Sequence, residues 1–140
     1  MTNKEIANNL FQIAKILELQ NSADHFRIVA YERAAQTIEN YPDEMADIFK
    51  KDGIKGLNDI PGVGESIAEK IEELLKTGKL KYLNEITKNI PVSEVEFLKI
   101  PGIGPKMAIK IAKEIKAKNI ADLKNKLEKD TTEKYFKIWI

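Results

Sequence analysis

The chain has 140 residues, enough for one hydrophobic core or two small ones, and its formal net charge of +1 hides a strongly basic carboxy-terminal third. It contains no cysteine and one histidine, His25, which excludes disulfides, thiolate metal sites and cysteine nucleophiles. No uncharged run approaches the roughly 20 residues that span a bilayer and no leader pattern opens the chain, so we expect a soluble, cytoplasmic protein without a membrane partner.

Helical spacing of apolar residues dominates the first sixty positions. Three helices are predicted there: from the capping box Thr2-Asn3-Lys4-Glu5 to about Gln20, from a Ser22 cap to Tyr41, and from about Asp43 to Lys51. Gly53 is expected to end the third. The second helix is expected to turn five apolar residues inward: Phe26, Val29, Ala30, Ala34 and Ile38.

Further helices are predicted at 65–76, 79–88, 105–118 and 120–129, with a second capping box at Ser93 opening a short helix after Pro91. No segment alternates with the two-residue period of a strand, so the predicted fold is all-α, a small helical bundle. We expect a first domain over residues 1–90, a second unit over 91–130, and an apolar tail at 131–140.

An internal repeat joins two glycine-rich turns. The segment 60–71 matches 100–111 at seven of twelve positions, and its opening residues, Ile60-Pro61-Gly62-Val63-Gly64, correspond to Ile100-Pro101-Gly102-Ile103-Gly104. Each copy lies between two predicted helices, which is the arrangement of a helix-hairpin-helix motif. The bundle is therefore predicted to carry two such motifs.

The residue types in these turns suit phosphate binding. Glycine permits a tight turn, the aliphatic residue between the glycines can enter the core, and the next helix begins with unpaired backbone amides at its positive end. Because backbone groups make these contacts, recognition should ignore base sequence. Turn carbonyls could also hold Na⁺ or K⁺, and no other cofactor is expected. The six residues whose backbone carbonyls are predicted to bind the cation are Asn58, Ile60, Val63, Leu98, Ile100 and Ile103.

The basic charge is concentrated after the second turn. Residues 99–140 contain 11 Lys and Arg against 5 Asp and Glu, whereas residues 53–98 contain 6 against 8. A basic face at an anion-binding helix start favours binding to DNA. The predicted DNA contacts are Arg27, Gly62, Val63, Gly64, Gly102, Ile103, Gly104, Lys106, Lys110 and Lys113.

The sequence resembles the amino-terminal region of family X DNA polymerases, the polymerase beta group and its relatives. The resemblance covers about residues 1–129 and is carried by the segments 26–35, 60–71, 77–80 and 100–106. It implies a helical domain that binds the 5′ end of a DNA gap during repair by base excision, and a second hairpin that holds the primer strand. The family's palm domain, which adds nucleotides, would lie beyond residue 140, so this chain alone is not expected to polymerise.

The resemblance also assigns a 5′-deoxyribose phosphate lyase lysine, which some family members use to form a Schiff base, to Lys70, and a pocket tyrosine to Tyr31. Other basic pocket positions of the family are occupied here by Ser66, Tyr82 and Asn58. Three functions therefore stay open at this point: a DNA-binding module for gaps, nicks or ends, a lyase acting through Lys70, and a protein-interaction module. The last would use the tail at 131–140 to contact a second copy or another protein.

Overall fold

The computed structural model describes residues 1–20, 24–88 and 90–128. Their helices, in chain order, are α1 (Asn3–Leu19), α2 (His25–Glu39), α3 (Met45–Asn58), α4 (Glu65–Thr77), α5 (Lys81–Thr87), α6 (Val92–Phe97), α7 (Pro105–Lys110), a π-helical segment (Ile111–Ile115) and α8 (Ile120–Glu128). No strand occurs in these ranges, so the all-α prediction is confirmed.

The predicted capping box at the start of α1 is present. The Glu5 amide donates to Thr2 Oγ1 at 3.2 Å, and the Thr2 amide donates to Glu5 Oε1 at 3.5 Å. Asn3 then links this end to the start of α3: its Nδ2 donates to the Asp43 carbonyl at 2.9 Å, and its Oδ1 accepts from the Met45 amide at 2.7 Å. The buried Asn3 side chain thus has a partner for both its nitrogen and its oxygen.

Helix α2 corrects the sequence prediction of its inner face. Asp24 caps the helix by accepting from the Arg27 amide, while the predicted cap, Ser22, lies outside the described residues. Phe26, predicted to face inward, is 89% exposed, and Ala30 is also exposed. The inner face instead holds residues at three- and four-residue intervals that include a tyrosine: Ile28, Tyr31, Ala34, Ala35 and Ile38.

Helix α3 does not stop at Gly53 as predicted. Gly53 adopts φ 68° and ψ −155°, which breaks the helix, and one more helical turn follows to Asn58. Leu57 of that turn is fully buried. The extra turn anchors the chain immediately before the first glycine turn.

The later helices also differ from prediction at their ends. Helix α5 begins at Lys81, whose amide donates to Glu73 Oε2 at 2.8 Å. Helix α6 begins after Pro91 without a side-chain cap, so the capping box predicted at Ser93 is wrong. Helix α7 continues as the π-helical segment and ends at Lys116, whose φ of 60° is left-handed.

Two apolar cores hold the molecule together, and α1 contributes to both. The first core is built from α1 to α4 and Leu80, and the second surrounds α6, the second glycine turn and α7. Leu17 belongs to the first core, whereas Ile16 is fully buried in the second. Gln20 Nε2 also donates to the Ile86 carbonyl of α5. The division at residue 90 stays a prediction, since α1 serves both cores.

Two sequence expectations concern membrane spans and the apolar tail. None of the described helices is long and apolar enough to cross a bilayer. The apolar tail predicted at 131–140 lies outside the described residues.

Candidate nucleic-acid interface

The two glycine turns have the same backbone geometry. The first glycine of each is left-handed, with φ of 86° at Gly62 and 85° at Gly102. The Val63 amide donates to the Ile60 carbonyl at 3.0 Å, and the Ile103 amide donates to the Ile100 carbonyl at 3.1 Å. Glycine is needed at the first position of each turn, because other residues adopt this conformation only with strain.

The aliphatic residue of each turn enters a core, as the sequence predicted. Val63 packs in the first core and Ile103 in the second, and each is only 4% exposed. Any contact that these two residues make with DNA must therefore come from the backbone. These buried side chains anchor each turn to its core.

Each turn leads directly into a helix whose first amides lack intrahelical partners. Gly64 and Gly104 are the N-caps of α4 and α7, and neither helix has a side-chain cap. The first intrahelical bonds are those of the Ala68 amide to the Gly64 carbonyl at 2.9 Å and of the Ala108 amide to the Gly104 carbonyl at 3.0 Å. The preceding amides, which at α7 are those of Lys106 and Met107 because Pro105 has no N–H, are left for an anion, which the positive end of the helix attracts.

A pocket of about 320 Å³ opens beside the first turn, between α2 and the start of α4. Its lining residues are Arg27, Ala30, Tyr31, Gly62, Gly64, Glu65, Ser66 and Ile67. The pocket brings together Arg27 and Tyr31, which the sequence placed at the site, and the glycines of the first turn.

Next to this pocket, two tyrosine rings surround the amine of Lys70. The Lys70 Nζ lies 4.6 Å from the ring centroid of Tyr82 and 5.7 Å from that of Tyr31, and it is 3.0 Å from Ser66 Oγ. The two rings are stacked, with centroids 6.3 Å apart. The guanidinium of Arg27 also lies over the Tyr82 ring, 5.4 Å from its centroid. Such contacts place cations against the negative faces of the rings.

The Tyr82 phenol is held in its neutral form. Burial raises its pKa from the usual value of about 10, the neighbouring Tyr31 raises it further, and Arg27 acts in the opposite direction. Glu73, a sequence neighbour of Lys70, is bonded to the Lys81 amide. Within residues 1–20, 24–88 and 90–128, no carboxylate forms an ion pair with Lys70.

Sequence reasoning missed two aromatic residues of this surface. Tyr82 was noted only as a position lacking a basic residue, although it contacts both Lys70 and Arg27. Phe26 precedes Arg27 on α2 and projects into solvent. No local pattern connects Tyr82 with Tyr31, because they meet only through the packing of α2, α4 and α5.

The second turn has a simpler, basic surround. Lys106 and Lys110 of α7 and Lys113 of the π-helical segment are exposed, as is Lys99 just before the turn. On a helix, residues 106, 110 and 113 lie at spacings that share one face. The predicted contact residues of this turn are thus accessible together.

Two of the six carbonyls predicted to bind a cation are already hydrogen-bonded within the turns. The Ile60 and Ile100 carbonyls each accept one turn hydrogen bond, and a carbonyl oxygen has a second lone pair. The monovalent cation site stays a prediction, with Na⁺ or K⁺ as its occupant.

Comparisons with known proteins agree with this geometry. Residues 1–80 match the family described as "Helix-hairpin-helix domain", and residues 94–134 match "SAM-like Helix-hairpin-helix tandem". The chain is 29% identical over 128 residues, 91% of its length, to the "DNA polymerase/3'-5' exonuclease PolX" of Bacillus subtilis, of which it covers 21%.

Two plant and animal relatives show the same partial coverage. The chain is 31% identical over 106 residues, 76% of its length, to DNA polymerase lambda of Rattus norvegicus, and 29% identical over 100 residues, 71% of its length, to that of Arabidopsis thaliana. It covers 17% and 18% of these relatives. The chain therefore resembles the amino-terminal regions of family X polymerases and spans about a fifth of their length.

Proposed function

The chain belongs to the helix-hairpin-helix domain family, and from this premise we propose that it is a DNA-binding module that contacts the sugar-phosphate backbone. One observation carries the proposal. Two turns with matching left-handed glycines each open a helix start without a side-chain cap. Such starts bind phosphate oxygens without reading bases, so binding should be indifferent to sequence.

We propose further that the preferred DNA contains a gap, a nick or an end. The pocket beside the first turn holds Arg27 for a phosphate, and the adjacent Phe26 offers an exposed aromatic face. An unpaired base can stack on such a face, whereas the bases of an intact duplex are stacked on one another. A role in DNA repair, such as base excision repair, is part of this proposal.

Equilibrium binding to matched DNA molecules tests the proposal. Fluorescence anisotropy should give tighter binding to gapped or nicked duplex than to intact duplex, and equal binding to two unrelated sequences. Affinity should fall steeply with salt, because neutralised phosphates release counterions. Failure of intact, nicked and gapped DNA alike to bind at low salt would refute the proposal.

A second candidate function is 5′-deoxyribose phosphate lyase activity through Lys70. What favours it is the position of the Lys70 amine, hydrogen-bonded to Ser66 and close to Tyr31, both of which line the pocket. The amine would attack the sugar aldehyde carbon and lose water to form a Schiff base. Loss of a C2′ proton and cleavage of the C3′–O bond would then release the DNA 5′-phosphate.

Borohydride trapping tests this second function. Incised abasic DNA should give a covalent adduct with the wild-type chain, and Lys70→Ala should remove it. Lys110→Ala, trapped at saturating DNA so that its role in DNA binding does not lower the yield, is the matched control, because Lys110 occupies the corresponding place in the second repeat. An adduct that is undiminished in Lys70→Ala would remove Lys70 from the chemistry.

The third function considered, protein interaction through the tail at 131–140, stays a prediction from sequence. Light scattering of the full chain and of a chain ending at residue 130 would test it. The same number of chains per particle in both would show that the tail holds no second copy.

A further inference from the structure

The two glycine turns are flanked by different charges at corresponding positions. With the repeat offset of 40 residues, Asp59 corresponds to Lys99, Glu65 to Pro105, and Ser66 to Lys106. Asp59, Glu65, Lys99 and Lys106 are all exposed. The first turn therefore has two carboxylates where the second has a lysine and a proline, and a serine where the second has another lysine.

Glu65 is the carboxylate placed most directly at the first turn. It is the first residue of α4, and it lines the pocket shared by Arg27 and Ser66. It also lines a second pocket, of about 250 Å³, together with Lys55, Asn58 and Glu69. A phosphate that reached the free amides at the start of α4 would pass this side chain.

Glu65 is not held in an ion pair in the described ranges, although Lys55 lines the second pocket with it. It forms neither a salt bridge nor a cap hydrogen bond there. Its charge therefore acts on whatever anion approaches the turn. Arg27 and Lys70 attract the same anion, so Glu65 reduces an attraction that these two cations supply.

We propose that Glu65 determines the phosphate selectivity of the first turn, weakening its binding of phosphate and weakening it most for a terminal 5′-phosphate. A terminal phosphate carries a charge of about −1.5 to −2 near neutral pH, whereas an internal phosphodiester carries one negative charge. Repulsion by a single carboxylate is therefore larger for the terminal group. The inference rests on the proposed function, since it assumes that the first turn binds DNA phosphate.

The test compares two gapped DNA molecules that differ only in a 5′-phosphate or 5′-hydroxyl at the gap. Glu65→Gln should increase affinity for both and should increase the preference for the 5′-phosphate by about threefold, as expected for one additional pair of unit charges about 6 Å apart in water. Glu39→Gln is the matched control. It removes an exposed charge on α2 about 18 Å along the helix from Arg27, and should leave the preference unchanged.

A reciprocal variant tests the same charge at the second turn. Pro105→Glu places a carboxylate at the first position of α7, where glutamate is well tolerated in helices. Relative to Pro105→Gln, which adds the same backbone N–H without a charge, it should lower the affinity for both DNA molecules by about threefold. Equal affinities of these two variants would contradict the charge effect. Circular dichroism would verify that the turn variants are folded.

The outcomes separate this inference from the function on which it rests. If wild-type protein binds both DNA molecules and Glu65→Gln leaves their affinity ratio unchanged, the inference is wrong while DNA binding stands. If neither DNA binds the wild-type protein at low salt, the proposed function fails and the inference fails with it.

Discussion

The first and second glycine turns have the same backbone conformation but different side chains around it. Gly62 and Gly102 have nearly identical φ angles, and the next residue of each turn is buried to the same degree. Around the first turn lie a pocket, two stacked tyrosines and a carboxylate, whereas exposed lysines surround the second. The chain thus presents the same turn backbone twice, and under the proposed function we expect the flanking side chains to set the strength and selectivity of phosphate binding at each turn.

The largest effect should come from removing the basic face of the second turn. The combined change Lys106→Ala, Lys110→Ala and Lys113→Ala should lower affinity for duplex DNA about a hundredfold at moderate salt, and reduce the salt slope by about 2.7 for three lost phosphate contacts. Anisotropy titrations at several salt concentrations measure both quantities. Lys124→Ala, an exposed lysine of α8, is the control. An unchanged salt slope in the triple variant would mean that the second turn is not the main DNA contact.

A backbone change should separate the two turns next. Gly102→Ala and Gly62→Ala each force alanine into a left-handed conformation at a cost of about 1 kcal/mol. No atom lies within 4 Å of a Cβ at Gly102, and at Gly62 only Thr37 Oγ1 does, at 3.6 Å, so strain in φ is the main cost at both. Gly102→Ala should reduce duplex affinity more than Gly62→Ala.

The control for the glycine variants is Gly78→Ala. Gly78 has a left-handed φ of 75° and open space around it, so alanine brings the same strain outside both turns and should leave DNA affinity unchanged. Equal losses of affinity for Gly102→Ala and Gly62→Ala would contradict the expectation that the second turn, with its exposed lysines, binds duplex DNA more strongly.

A smaller effect, confined to the first turn, is expected from Phe26→Ala. An aromatic ring that stacks on one base contributes about 1 kcal/mol or more, so affinity for gapped DNA should fall about fivefold while affinity for intact duplex stays the same. The free energy of unfolding should not change, because Phe26 is 89% exposed. Equal losses on gapped and intact DNA would argue against base stacking at this residue.

The smallest effect concerns the pH dependence of the tyrosine cluster. The pKa of Tyr82 is raised mainly by burial, so its neutral form stabilises the fold below pH 10, and this stability is lost as pH rises through the raised value. Tyr82→Phe cannot ionise and should lose less stability than wild type between pH 8 and about 11. The difference should not exceed about 0.5 kcal/mol, because solvent screens this partly exposed phenol.

Urea unfolding at both pH values measures the difference, with Tyr41→Phe as the control for loss of another phenol. A steeper alkaline loss in Tyr82→Phe than in wild type would show that the sign of this assignment is wrong.

Sequence reasoning succeeded where the determining interactions are local. The capping box at Thr2, the left-handed glycines and the aliphatic residues that enter the cores all follow from a few neighbouring positions. It failed where distant helices meet. The outward position of Phe26 depends on α2 burying Tyr31 instead, and the contact of Tyr82 with Lys70 depends on how α5 lies across α4.

Helix ends were the other source of error. Proline, not serine, occupies the N-cap position of α6, and Gly53 interrupts α3 without ending it. The π-helical segment after α7 had no sequence signal either. There Lys126 Nζ donates to the Ile115 and Lys116 carbonyls, at 3.3 and 2.9 Å, a contact that only tertiary packing brings about.

Ile16 is buried in the second core, one residue from Leu17 in the first, so α1 packs in the cores beneath both glycine turns. Under the proposed function, this shared helix limits how far the two turns can move apart, so DNA that contacts both turns must match their separation or bend. Bending a short duplex costs several kcal/mol when the helix is intact, by elastic estimates of about 1 to 6 kcal/mol for bends of 40–90°. A break in one strand removes much of that stiffness. A protein with two contact points joined by one helix would then favour gapped DNA because gapped DNA bends at a lower cost.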